Sequence, residues 1–235
     1  MIGHEHSITS LPSPPSVFAQ VPIYESRLRM GEKLALKIMR ERQSHGIDVV
    51  IPIPDSGAPA AQGYARKSGI PYADGLVKNR YVGRTFIQPD QALREHGIKL
   101  KFNPMPDVLS GRRVIVVDDS IVRGTTTRKI VEMLRGAGAT EVHLRISSPP
   151  VISPCFYGID MAAKDQLIAA HKSIEEIRQH LGADSLAYLS LEGLEAATGH
   201  GEERYCRACL TGKYPTTVPI AADKDRFEAT RLPVA

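Results

Sequence analysis

Apolar residues along this 235-residue chain fall into short unbroken blocks and into longer stretches where they recur every three or four positions. Val114-Ile-Val-Val117 is one block, and Asp48-Val-Val-Ile-Pro-Ile-Pro54 is another. Blocks of β-branched residues without alternation predict strands buried on both faces, as in parallel sheets covered by helices. Glu141 to Ser147 alternates and predicts a further strand, with a short one expected near Ile70 to Ala73. Helical spacing runs from Tyr24 to about Ser44, where Leu28, Leu34, Ile38 and Met39 fall near one face and Gly46 supplies a stop. Ala58 to Ser68 predicts a second helix broken at Gly69, and Ile130, Leu134 and Ala137 recur at i, i+4 and i+7 in a third. Ser173-Ile-Glu-Glu176 has capping-box spacing and opens a helix toward His180, while Ser190 to Ala197 gives another, closed by Gly199. Strand and helix alternate across residues 48 to 147, which predicts an α/β fold: a parallel sheet flanked by helices.

This pattern divides the chain. Residues 1 to 22 are rich in Ser, Pro and His, and Pro12, Pro14, Pro15 and Pro22 prevent a regular helix there, so a disordered leader or linker remnant is expected. Residues 23 to 150 form the expected core, and 151 to 235 a mostly helical or irregular C-terminal appendage. Within the core, Leu76 to about Pro106 lacks a strong strand pattern and reads as an excursion from the sheet, with a helical turn at Asp90 to His96.

Composition narrows the function classes. Hydrophobic residues make up 42% and charged residues 24%, the balance of a folded globular chain rather than a disordered one. A formal charge of +4 gives no reason to expect nucleic acid, although clustered cations would suit a small polyanion. No apolar run approaches the ~20 residues that span a bilayer, and the first residues lack the apolar core of a signal peptide, so no membrane and a cytoplasmic setting are expected. Three cysteines, an odd number, argue against a disulfide framework.

Four constellations carry chemistry. At the end of the block at 114 to 117, Asp118 and Asp119 precede Ser120, Arg123, Gly124, Thr125 and Thr126 and then a helix. Ligands gather beyond the carboxyl ends of such strands, and the free N–H groups and Thr hydroxyls of a helix start hold phosphate. Pro54-Asp55-Ser56-Gly57 occupies the corresponding place after the strand at 48 to 54, where a plain turn is the competing reading. Lys78, Arg80 and Arg84, with Tyr81 and Gly83 among them, suit either a solvated basic loop or a flap that closes on a diphosphate. Cys155 and the pair Cys206-Arg-Ala-Cys209 suggest a metal, cluster or redox site against the alternative of unrelated reduced thiols.

The run VIVVDDSIVRGTT resembles the phosphoribosyl diphosphate (PRPP) signature of the type I phosphoribosyltransferases. The run KNRYVGRTFI resembles the catalytic loop of the amidophosphoribosyltransferases, which open purine synthesis. PCFYGID and the CxxCxTGKYP tail extend that likeness, which covers the chain from about Val17 to Pro219. The resemblance implies a type I phosphoribosyltransferase fold and formation of 5-phosphoribosylamine from PRPP and ammonia. It implies Mg²⁺ and ribose contacts at Ser56, Asp118 and Asp119, with Asp55 and Gly57 also binding substrate. The 5-phosphate would be held by Ser120, Arg123, Gly124, Thr125 and Thr126, and diphosphate closure would fall to Lys78, Arg80, Tyr81 and Arg84. It further implies a [4Fe–4S] cluster on Cys155, Cys206 and Cys209, three of the four cysteine ligands such a cluster takes. The family's glutaminase domain has no counterpart in residues 1 to 22; a separate glutaminase chain that supplies ammonia, loss of the glutaminase, and a start site that omits it are the alternatives left open. Purine nucleotides as feedback inhibitors and a homo-oligomer are family expectations. A non-catalytic PRPP or nucleotide sensor of the same fold and a nucleobase salvage enzyme are the competing readings; the flap weighs against the first, and flap and cysteine tail together against the second.

Overall fold

The computed structural model describes residues 17–18, 21–41, 46–79, 102–157, 159, 161, 163–199 and 205–218. Four parallel strands form its main sheet: β3 (Val49–Pro52), β6 (Arg113–Asp118), β7 (Glu141–Ile146) and β8 (Ser185–Tyr188), adjacent in that order. Two short antiparallel pairs accompany it, β1 (Val17–Phe18) with β2 (Val21–Pro22) and β4 (Leu76–Lys78) with β5 (Phe102–Pro104).

Both faces of the sheet are covered, which explains the unbroken apolar blocks. Val49, Ile51, Val114, Val116, Val142 and Leu144 point to one side, where helices α4 (Thr125–Gly136) and α5 (Ile174–Leu181) supply Ile130, Leu134, Ile177 and Leu181. Val50, Ile115, Val117 and Ala187 point to the other, against α1 (Ile23–Arg40), α2 (Ala58–Ser68) and α6 (Leu191–Thr198). Each fully buried Val or Ile contributes roughly 1.5–3 kcal/mol, so the four residues of the β6 block anchor both layers. Helices α3 (Pro106–Leu109) and α7 (Ala208–Thr211) are single turns; α3 adds Leu109 to the first side of the core.

The α1–α2 contact brings backbone against backbone. A Cβ on Gly63 would lie 1.9 Å from Leu28 O, and one on Gly31 would lie 1.8 Å from Ala60 O. Only glycine permits this approach, which sets α1 against α2; α1 also packs on α6, and its Lys37 ammonium donates to Tyr188 O at the end of β8.

Several expectations need correction. The boundary at residue 150 divides the main sheet, because β8 at 185–188 is its fourth strand and α6 covers it. Part of the leader expected to be disordered, residues 17–18 and 21–22, pairs as β1 and β2. The strand expected near Ile70 to Ala73 is a single parallel bridge from Tyr72 to Val50, since Pro71 has no N–H to donate and offers its carbonyl to the Val50 amide instead. The excursion at 76–106 contains β4 and β5, too short to show a period. Met39, expected near the buried face of α1, is exposed, whereas Arg27 is buried there. The helical turn expected at Asp90 to His96 lies outside the described residues.

Candidate active site

Strands β3 and β6 are adjacent and parallel, with Pro52 opposite Val117, so the turns that follow them leave the sheet side by side. The Ile53 amide donates to Val117 O at 2.9 Å, and the Gly57 amide donates to Ile53 O at 3.0 Å. A Cβ on Gly57 would stand 2.5 Å from Val117 O, so glycine lets the Pro54–Gly57 turn lie directly on the end of β6. The Pro54–Asp55 peptide is cis. Asp55, Ser56 and Gly57 thus share one edge with Asp118 and Asp119.

Asp118 ends β6 and is buried. Its Oδ1 accepts the Asp119 amide at 2.8 Å, and its backbone carbonyl accepts both the amide (2.9 Å) and the hydroxyl (3.2 Å) of Ser147. Burial, and then the negative charge of Asp119, push the Asp118 carboxyl well above the ordinary carboxylate range. Asp119 is half-buried and accepts from the Ser120 hydroxyl at 3.1 Å. The buried guanidinium of Arg27 interacts electrostatically with Asp119; desolvation lowers its own pKa and the Asp119 charge raises it.

From Ser120 the chain turns into α4. Ile121 is buried in the core and anchors the loop, while Arg123, Thr125 and Thr126 are exposed. Gly124, with φ +79°, caps α4 in the left-handed region that favours glycine. No side chain caps this helix start, which leaves its first N–H groups for an anion, and α4 at 12 residues carries a full dipole. The loop lies against the α4–α5 layer, where a Cβ on Gly124 would stand 3.0 Å from Ile168 Cδ1.

Lys78, at the end of β4, reaches the same edge. Its Nζ is 2.5 Å from Asp55 Oδ2. Arg80, Tyr81 and Arg84 lie outside the described residues.

The cysteine segments meet elsewhere on the chain. The amides of Ile152 and Ser153 donate to Cys209 O at 2.9 and 3.1 Å, and the Tyr157 amide donates to Cys155 Sγ at 3.4 Å. Tyr214 packs on Phe156, with ring centroids 5.3 Å apart, and its hydroxyl is raised by burial and, secondarily, by Cys209 and Cys155 nearby. Cys209 is buried and Cys155 and Cys206 are half-buried, and none of the three forms a disulfide. Among the described residues no three His, Cys, Asp or Glu side chains converge on a metal position. Three thiols do not fit an all-cysteine cluster, which takes four. Mg²⁺ asks for less, one or two carboxylates completed by substrate phosphate and water, and the Asp118–Asp119 pair fits it because the buried Asp118 carboxyl meets no cation among the described residues.

An open parallel sheet with an acid pair, a phosphate-type loop and a second anion turn at one carboxyl edge defines a type I phosphoribosyltransferase fold. The phosphoribosyl transferase domain family matches residues 22–147, and the chain belongs to that family. It is 56% identical over 214 residues to the amidophosphoribosyltransferase of Synechocystis sp., covering 91% of this chain and 42% of the relative. With the amidophosphoribosyltransferase of Bacillus subtilis it shares 53% over 209 residues, 87% of this chain and 43% of the relative. Among solved structures, the glutamine PRPP amidotransferase from B. subtilis complexed with ADP and GMP superposes with a TM-score of 0.78 at 51% identity, covering 89% of this chain and 46% of that one. A structure described as the allosteric regulatory enzyme of purine biosynthesis gives a TM-score of 0.80 at 50% identity over 91% and 46% of the two chains. The chain thus spans less than half the length of the curated relatives it matches.

Two contributors escaped sequence reasoning. Arg27 was signalled only by a cation at an apolar helix position, between Ile23 and Met30. Ser147, which holds the Asp118 carbonyl, carried no signal beyond its place at the end of β7.

Proposed function

We infer that this chain is a phosphoribosyltransferase unit of the amidophosphoribosyltransferase type, forming 5-phosphoribosylamine and diphosphate from PRPP and ammonia. The observation that carries this reading is the junction of two anion-binding turns on adjacent strands at Pro52 and Val117, with Asp118 and Asp119 between them. Similarity to amidophosphoribosyltransferases above 50% identity supports the choice of reaction.

In this reading Asp118 and Asp119 accept hydrogen bonds from the ribose hydroxyls, and the Arg27 guanidinium and Ser120 hydroxyl steady Asp119. The amides and hydroxyls of Ser120, Gly124, Thr125 and Thr126 hold the 5-phosphate at the α4 start, with Arg123 adding charge. The bond from C1 to diphosphate breaks as positive character develops on the ribose, and ammonia attacks C1 from the opposite face. Lys78, Arg80 and Arg84 neutralise the departing diphosphate and the Tyr81 hydroxyl donates to it, with Asp55, Ser56 and Gly57 at its other side. Mg²⁺, held by Asp118, Asp119 and Ser56, supplies further charge neutralisation when bound. Neutral ammonia is nucleophilic, so the reading assigns no side-chain general base.

A cluster on Cys155, Cys206 and Cys209 would need a fourth ligand; iron and sulfide analysis of anaerobically purified chain tests it. Ammonia from a glutaminase chain, purine nucleotides as inhibitors and a homo-oligomer belong to the same proposal, the nucleotides suggested by the ADP and GMP of the B. subtilis structure. No described helix is long and apolar enough to cross a membrane; a cytoplasmic setting belongs to the same proposal. The deciding experiment is PRPP-dependent diphosphate release with ammonium and Mg²⁺ supplied. PRPP binding without turnover would favour the sensor.

A further inference from the structure

Asp55 and Lys78 form an ion pair across the proposed diphosphate site, with Oδ2 and Nζ 2.5 Å apart. The turn that carries Asp55 is held by its backbone, through the Ile53 and Gly57 amides and the contact of Gly57 with Val117 O. Its carboxylate is therefore not needed to shape the turn. The Asp55 side chain is 67% exposed and that of Lys78 30%, so either can exchange its partner for a ligand without burying an uncompensated charge. A diphosphate oxygen offers the ammonium the same acceptor chemistry as the carboxylate, and the two acceptors compete for one cation.

Resting on the reading of this edge as a diphosphate site, we propose that Asp55 sets diphosphate release by competing with the phosphate oxygens for the Lys78 ammonium. The carboxylate gives up Lys78 when diphosphate arrives and reclaims it as the product leaves. Asp55 is then a residue that weakens ligand affinity, opposite in sign to a residue that simply binds substrate.

Calorimetric titration of inorganic diphosphate in magnesium buffer tests this with the 235-residue chain and its Asp55→Asn, Asp55→Ser, Lys78→Met and Asp55→Asn/Lys78→Met variants. Both Asp55 variants should bind diphosphate about three- to fivefold more tightly than wild type, the size of a partly exposed ion pair, and the gain should vanish beside Lys78→Met. Equal or weaker binding by the Asp55 variants overturns the proposal. A gain of the same size in the Lys78→Met background also overturns it, because that is plain charge repulsion. Circular dichroism melts accompany each titration, and loss of the fold in both Asp55 variants would instead assign the pair a structural role. Wild-type chain that binds no diphosphate at all would refute the reading of the site itself, an outcome distinct from binding without a gain.

Discussion

Asp118→Asn exchanges a buried carboxyl for a neutral amide of the same shape, and in magnesium-free, phosphate-free buffer it should stabilise the chain. Taking a carboxylate out of water costs several kcal/mol, and the Asp119 amide at 2.8 Å returns about 1.5–3 kcal/mol. The adjacent Asp119 charge adds repulsion, so the ionised side chain leaves a net cost of about 1–3 kcal/mol that the amide, able to accept the same N–H, does not bear. The folded state holds the Asp118 proton where the unfolded chain has lost it, because the folded pKa is raised. Stability therefore falls as pH rises from the ordinary carboxylate value of about 3.9 up through the raised one, and the variant escapes that fall. At pH 8 its melting midpoint should exceed wild type by about 2–10 °C, and near pH 4 the two should converge. Melts followed by circular dichroism across this range, with PRPP binding measured separately in magnesium buffer, provide the assay. Binding should be lost as stability rises. A variant less stable than wild type at pH 8, or a difference independent of pH, would refute the reasoning.

Three further outcomes follow from the same geometry. Gly63→Ala places a methyl group 1.9 Å from Leu28 O, so the α1–α2 crossing must open; denaturant titration should show a loss of about 1–3 kcal/mol or more, and unchanged stability would contradict the backbone contact. Ser173→Ala removes the hydroxyl half of the capping box at α5, in which the Ser173 hydroxyl accepts the Glu176 amide, and leaves the Glu176 carboxylate its backbone N–H at residue 173; a loss of about 1 kcal/mol is expected by the same method. Chelating Mg²⁺ with EDTA should abolish calorimetric PRPP binding and restore it on adding the ion back; binding unaffected by chelation would remove Mg²⁺ from the account.

Local chemistry made much of the fold readable. The capping box at Ser173, the helix at 58–68 with its left-handed Gly69, and the buried block at 114–117 are each fixed by residues close in sequence. What escaped depends on distant partners. Strand β8 is four residues, and only its place beside β7 makes it part of the sheet. β7 alternates in sequence, yet Arg145 is fully buried and donates to Leu144 O and the Ser185 hydroxyl, because α1 and α2 cover that side. The acid pair and the turn at 54–57 were legible because strand ends and glycine loops advertise anion sites. The approach of Arg27 to Asp119 was not, since it arises from two helices crossing at glycines.

Diphosphate release from PRPP tests the central claim most directly. The folded 235-residue chain, with Mg²⁺ and a high concentration of ammonium at alkaline pH, should release diphosphate at a rate that rises with ammonia and is lost in the Asp118→Asn/Asp119→Asn variant. A folded chain that binds PRPP yet releases no diphosphate above the blank, at any ammonia concentration, would contradict it.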